Sequence, residues 1–236
     1  MKYFLPFLLF ILAAFTAPFA YADESNDITR NQLRAASMVG KGELVIENFI
    51  KNPDFGENFQ KYLKSARAVV IIPKLFKGGF LIGGEKGTGI VLARNPNTGM
   101  WSYPIFYDFY SASIGLQIGF ETSRHVLLVM TDRGLDSLLF DRFKLGGELQ
   151  AAAGLRGKSL EASTTRNLNI DILSYSANSG AYVGANLEGS YLEINHELQN
   201  AYYGGRDISA TDIIVKEIYT NIHADSLCDY IKEVSE

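Results

Sequence analysis

Three histidines, one cysteine and a group of spaced aspartates are the residues in this 236-residue chain whose chemistry could be catalytic or metal-binding. His125, His196 and His223 are far apart, with no His-x-x-x-His pair and no Cys partner at ligand spacing. A zinc site needs ligands at short, defined spacings, so none is expected, and each histidine reads as structural. A dispersed Ser-His-Asp triad would still need a nucleophile elbow, and no Gly-x-Ser-x-Gly occurs. Gly84-Glu-Lys-Gly-Thr-Gly89 faintly suggests a phosphate loop. It lacks the Gly-Lys-Ser/Thr ending and a following helix, so bending of a sheet explains the glycines better. Asp132, Asp136 and Asp141 have the spacing and charged neighbours of a solvated helix face. Cys228, beside Leu227 and Ile231, reads as a buried structural thiol. No catalytic constellation emerges, and neither a cofactor nor a metal is expected.

Binding chemistry is better represented. Arg30, Arg34 and Lys41 cluster on one side of a helical segment, Asn31 to Lys51, away from its apolar face. Lys74-Leu-Phe-Lys77 places two apolar residues, one of them Phe76, between two cations. A cation beside an anionic lipid surface is worth about 1 kcal/mol, and partial insertion of apolar groups adds to it. The candidate lipid-binding residues are therefore Arg30, Arg34, Lys41, Lys74, Phe76 and Lys77. A wet charged helix face and an ordinary turn whose Phe76 joins the core remain the plain alternatives.

The elements that must position these residues are built around Ala66 to Arg94. Ala68 to Ile72 is a β-branched apolar run that reads as a strand buried on both faces. Pro73 is expected to end it, Lys74 to Lys77 to form a loop, and Gly78 and Gly79 a turn. Gly83, Gly84, Gly87 and Gly89 then mark bulges and sharp bends in the next strand. Ahead of this region, Ala35, Val39, Gly42, Ile46 and Ile50 share a helix face, and Leu33 and Leu44 blur it. Gly40 and Gly42 weaken that helix by roughly 1 kcal/mol each. Asn58 to Ser65 is a second helix. Later strands are expected at 100–103, 113–120, 126–131, 145–154, 170–176, 181–187 and 191–194, with a short helix at 132–140. Ser209 is a good N-cap for a helix through Val215, and a last helix covers Ala224 to Val234. The fold class is α+β: a strongly curved, mainly antiparallel sheet, barrel-like or sandwich-like, with flanking N- and C-terminal helices.

Residues 1–22 are set apart. Lys2 is a positive n-region, Phe4 to Phe15 an apolar h-region, and Ala20-Tyr-Ala22 a small-x-small exit. That pattern reads as a signal peptide cleaved after Ala22, and so as an exported protein, periplasmic or secreted. Residues 23–29 read as a mobile leader and residues 30–236 as one domain. The formal charge is −4, and losing Lys2 makes the mature chain one unit more acidic. A net acidic protein is a poor nucleic-acid binder, so none is expected as a partner.

The order of the motifs resembles a known module. Ala68-Val-Val-Ile-Ile-Pro73, Lys77-Gly-Gly-Phe80, Gly83-Gly84, Gly87-Thr-Gly89 and Trp101-Ser-Tyr-Pro104 come first. Gly115-Leu-Gln-Ile-Gly119, Leu145-Gly146, Tyr175-Ser176, Gly180-Ala-Tyr-Val-Gly184, Leu187-Glu-Gly189 and Asn200-Ala-Tyr-Tyr-Gly204 follow. Each piece is weak alone, but together and in order they resemble the SYLF domain over about residues 30–235. That family occurs in yeast actin-patch proteins, their animal relatives and bacterial exported proteins. The resemblance implies lipid binding, to phosphoinositides in eukaryotic members, through a basic amphipathic N-terminal segment; here that is Asn31 to Lys51. It also implies actin binding in eukaryotic members. The expected function is a non-catalytic module that associates with anionic phospholipid membranes as a peripheral protein. The alternative is a protein-interaction or structural envelope component, an actin binder among the options. A third class, an enzyme acting on lipid head groups, would require a polar cleft with perturbed carboxylates.

Overall fold

Ala68–Ile72 forms the centre of the sheet because its side chains are apolar on both sides of the pleat. Val69 and Ile71 pack into one cluster, and Ala68, Val70 and Ile72 into another, all of them buried. The computed structural model describes residues 24–80, 82–95, 97–114, 119–140, 142–145, 149, 151–153, 170–177 and 189–236. In chain order these form α1 (Glu24–Ile50), α2 (Gly56–Ser65), β1 (Ala68–Phe80), β2 (Ile82–Ala93), β3 (Ile105–Ile114) and β4 (Gly119–Val129). After them come α3 (Asp132–Ser137), β5 (Arg142–Lys144), β6 (Ala151–Ala153), β7 (Ile172–Ala177) and β8 (Tyr191–Ile194). The chain ends with α4 (His196–Tyr203), α5 (Ala210–Ile214), a 3-10 turn at Ile222–Ala224 and α6 (Asp225–Ser235).

The strands make one sheet in the order β5-β8-β3-β2-β1-β4-β7-β6. Every pairing is antiparallel except β6 with β7. The sheet curls into a half-barrel. One face carries α1, α2, α4 and α6, which bury Phe49, Phe59, Leu198 and Leu227 against Ile71, Ile90, Phe106 and Leu128. Phe49, Phe59 and Tyr175 meet there edge to face, with centroids 5.6 Å and 5.2 Å apart. The other face is covered by Leu135 and Leu138 around α3 and by Ile208, Ile213 and Ile214 around α5. The α+β class and the curved sheet with helices at both ends are as the sequence suggests.

The central hairpin corrects the local expectation. Pro73 does not end β1, and residues 74–77 are strand rather than loop. One extra residue is inserted in β1 between Ile71 and Lys74 relative to β2, and between Ile72 and Leu75 relative to β4. This bulge is where a proline without an N–H fits inside a sheet. Glycine is required opposite it. A Cβ at Gly89 would stand 2.5 Å from the Ile71 carbonyl oxygen. Gly78 and Gly79 are strand residues paired with Gly84 and Gly83, so the reversal is later, between Phe80 and Ile82.

Other boundaries also move. Residues 100–103 give only an isolated bridge from Trp101 to Arg94, not a strand. Pro104 is followed at once by β3, a ten-residue strand whose apolar and aromatic run is interrupted by Asp108, Ser111 and Ser113, so that local pattern marked only its end. The strand expected at 113–120 instead spans the end of β3 and the start of β4. Of the described residues in 145–154, Ala151–Ala153 are strand and Leu145 and Leu149 form a bridge. Helix α1 reaches back to Glu24, across the segment read as a leader. Helices α2, α3, α5 and α6 lie where the sequence suggests, whereas α4 is a helix that the sequence pattern did not mark. Thr131 caps α3, Asn195 caps α4, and Ser209 with Asp212 forms a capping box on α5. The expectations for 1–22 and for the strand at 181–187 lie outside the described residues.

Candidate functional site

The β1 bulge decides which side chains face α1. Before it, Val69 and Ile71 point to the helix side; after it, Lys74 and Phe76 do, while Leu75 continues with Ile72 into the opposite cluster. An inserted residue changes the phase of a period-two element, and here it turns an apolar row into a cationic one. Beyond Ile71, the helix side of the hairpin is therefore not sealed by core packing.

A groove of about 710 Å³ opens there. Helix α1 contributes Arg30, Leu33, Arg34, Ser37, Met38 and Lys41, one stripe at helical spacing. The hairpin contributes Pro73, Lys74 and Phe76 from β1 and Lys86, Gly87 and Thr88 from β2. Among the described residues five cations line the groove and no carboxylate does; most of its surface is apolar. Lys74 Nζ lies 4.4 Å from the Phe76 ring centroid, and Phe76 is 53 % exposed. Leu33 is exposed as well, at 69 %. Arg30 is held by Asp27 at 3.2 Å and Arg34 donates to Asn31 Oδ1 at 3.0 Å, both on α1. At the β2 side, Thr88 Oγ1 donates to Asp108 Oδ1 at 2.6 Å, and Asn195 Nδ2 donates to the other carboxylate oxygen at 3.0 Å.

Five of the six sequence candidates thus meet in one place: Arg30, Arg34, Lys41, Lys74 and Phe76. Lys77 does not. As a strand residue three positions from Lys74 it points to the other face, where it pairs with Glu85 at 3.3 Å. The sequence reading missed Lys86 and Thr88, and it discounted Leu33. The signal for Lys86 was the hairpin register, which sets it opposite Phe76.

The same sheet face carries more cations and rings beyond the groove. Lys86 Nζ lies 5.2 Å from the Tyr110 ring, Tyr110 stacks on Tyr191 with centroids 5.1 Å apart, and the Arg142 guanidinium sits 4.6 Å from Tyr191. This ladder crosses β2, β3, β8 and β5 without interruption. Its members are distant in sequence, and nothing in the linear pattern announces them.

The residues with catalytic potential are placed otherwise. His125 is buried on the opposite face, its Nε2 2.7 Å from Ser123 Oγ. Burial, and then the nearby Lys77 charge, push its pKa down to about 4. His196 and His223 are exposed and far from it in the chain. Among the described residues no group of histidine, cysteine and carboxylate side chains is arranged to hold a metal. Asp132 and Asp136 are exposed, Asp132 pairing with Arg67 at 3.0 Å; Asp141 lies outside the described residues. Cys228 is half-buried in α6, and burial pushes its thiol up to about 12, which makes it a poor nucleophile. Gly84 to Gly89 lies within β2, so it is not a phosphate loop. Among the described residues no helix is long and apolar enough to cross a membrane.

The chain is similar to known proteins. The family described as "Ysc84: Las17-binding protein actin regulator" matches residues 110–234. "SH3 domain-containing YSC84-like protein 1" of Bos taurus is 30 % identical over 74 % of this chain and 50 % of its own length. The Xenopus laevis protein of the same name is 31 % identical over 69 % of the chain and 48 % of its own. "LAS seventeen-binding protein 3" of Saccharomyces cerevisiae is 30 % identical over 70 % and 37 %. The chain therefore spans about half the length, or less, of these curated relatives. The groove residues precede the segment that the family description covers. With more than half of its length matched, and with relatives at this identity over most of it, the chain belongs to the Ysc84 family, the SYLF domain proteins.

Proposed function

We propose that this protein is a non-catalytic module that docks on anionic phospholipid surfaces through the α1 side of its sheet. The observation that carries this reading is the groove, where Arg30, Arg34, Lys41, Lys74 and Lys86 surround exposed Phe76 and Leu33. Cations attract the surface charge of an anionic leaflet, and the apolar side chains enter the interface. The Tyr110–Tyr191 stack, flanked by Lys86 and Arg142, extends the same face with residues suited to a membrane–water boundary. Residues 1–22 act as a signal peptide in this reading, so that the mature protein meets its membrane after export; an intact mass beginning at Asp23 is the expected result for protein recovered from an exporting host.

The test is co-sedimentation of protein lacking residues 1–22 with vesicles of neutral lipid, with and without an anionic phospholipid. Pelleting that needs the anionic lipid and falls as salt rises is expected; absence of lipid-dependent pelleting at low salt rejects the proposal. A second reading has specific support in the relatives, one named as an actin regulator family and one as a Las17-binding protein. There the cation-aromatic face would meet an acidic protein surface, actin filaments included. Co-pelleting with filaments in lipid-free buffer separates the two.

A further inference from the structure

The groove is more than a charged patch. A phosphate-bearing head group would satisfy its cations and leave its walls wet, yet most of its surface is apolar. Leu33, Met38, Pro73 and Phe76 supply that surface, and Leu33 and Phe76 stand more than half exposed. Apolar surface gathered in an open groove of about 710 Å³ falls within the size range of small-molecule sites. Its shape is elongated. The α1 stripe runs from Arg30 to Lys41, about 16 Å along the helix at its rise per residue. Charge complementarity selects the occupant, since among the described residues five cations and no carboxylate line the walls.

Resting on the reading above, we infer that the groove seats one alkyl chain of an anionic lipid, with the head group held among the lining cations. The protein then binds single amphiphile molecules and does not require a bilayer. Ser37 sits in the middle of the stripe, exposed on the helix surface, and is the position from which a larger side chain would fill the groove.

The test uses protein lacking residues 1–22 and alkyl phosphates kept below their micelle-forming concentrations. Butyl, octyl and dodecyl phosphate, with inorganic phosphate as the head-group control, are titrated by calorimetry, and vesicle co-sedimentation is run beside them. Saturable binding of one dodecyl phosphate per chain is expected, with affinity rising two- to fourfold for each methylene added. Ser37→Trp is expected to weaken dodecyl phosphate at least tenfold. Equal binding of butyl and dodecyl phosphate, or of inorganic phosphate, overturns the inference and leaves surface docking intact. So does vesicle pelleting without saturable dodecyl phosphate binding. Failure of both assays overturns the two together. The chain-length series uses the unaltered sequence, so it decides the matter even if the tryptophan variant folds poorly.

Discussion

At the residue scale, His125 shows how burial sets behaviour without implying catalysis. Its ring is 6 % exposed, its Nε2 is bonded to Ser123, and its Nδ1 has no hydrogen-bond partner among the described residues. Burial and Lys77 hold it neutral, with a pKa near 4 against 6.5 in an unfolded chain. The sign follows from the proton count: between these values the unfolded state binds the proton and the folded state does not. The stability contribution is therefore complete above pH 6.5 and is lost as pH falls toward 4. Over that interval the loss amounts to about 2–3 kcal/mol, the free energy of a shift of this size. Denaturant titrations at pH 7 and pH 4.5 should show it, and His125→Gln should flatten that part of the profile. A variant with an unchanged slope would mean that other groups drive the acid response.

At the element scale, two glycines that look alike in sequence behave oppositely. Gly40 lies on the exposed side of α1, and a Cβ there would meet nothing within 4 Å. Gly40→Ala should stabilise the protein by up to about 1 kcal/mol through helix propensity and reduced unfolded-state entropy. Gly89 faces the bulge, where a Cβ would press on the Ile71 carbonyl oxygen at 2.5 Å. Gly89→Ala should destabilise by about 1–3 kcal/mol, since backbone must shift to admit the methyl. Thermal melts of the two variants should move in opposite directions. The glycine-rich stretch was legible as a bent sheet, but the role of each glycine was not. Propensity marks glycine as weak everywhere; only the path of the neighbouring strand distinguishes a tolerated glycine from a required one. Pro73 was misread for the same reason. A proline ordinarily ends a strand, and the bulge that accommodates it depends on two partner strands, β2 and β4, that local sequence does not contain.

At the scale of the whole molecule, the helix-capped curved sheet was legible because apolar periodicity and capping residues are local signals. The site was legible in part: α1 cations and Lys74 with Phe76 could be read from composition and spacing. Lys86, and the ladder through Tyr110, Tyr191 and Arg142, come together only through β-sheet register. Lys77 was grouped with Lys74 by proximity in sequence, and the bulged strand sends it to the opposite face.

That separation gives a discriminating prediction for the membrane reading. Lys74 and Lys77 have the same chemistry and lie three residues apart on one strand, but only Lys74 lines the groove. Lys74→Gln removes one cation from the docking face. It should weaken association with anionic vesicles about fivefold at low salt, as expected for a contact worth about 1 kcal/mol. Lys86→Gln should do the same, and the two together should multiply, because each cation acts on the surface charge separately. Lys77→Gln changes the net charge by the same amount on the other side of the sheet. If docking is face-specific, its pelleting curve should overlay that of the unaltered protein. If the loss instead tracks total charge wherever it is removed, Lys77→Gln will fall with Lys74→Gln, and the α1 face will have no special part in binding. Glu85, left without Lys77, makes a stability control necessary. A melt of Lys77→Gln within a few degrees of the unaltered protein makes the comparison one of surface against surface.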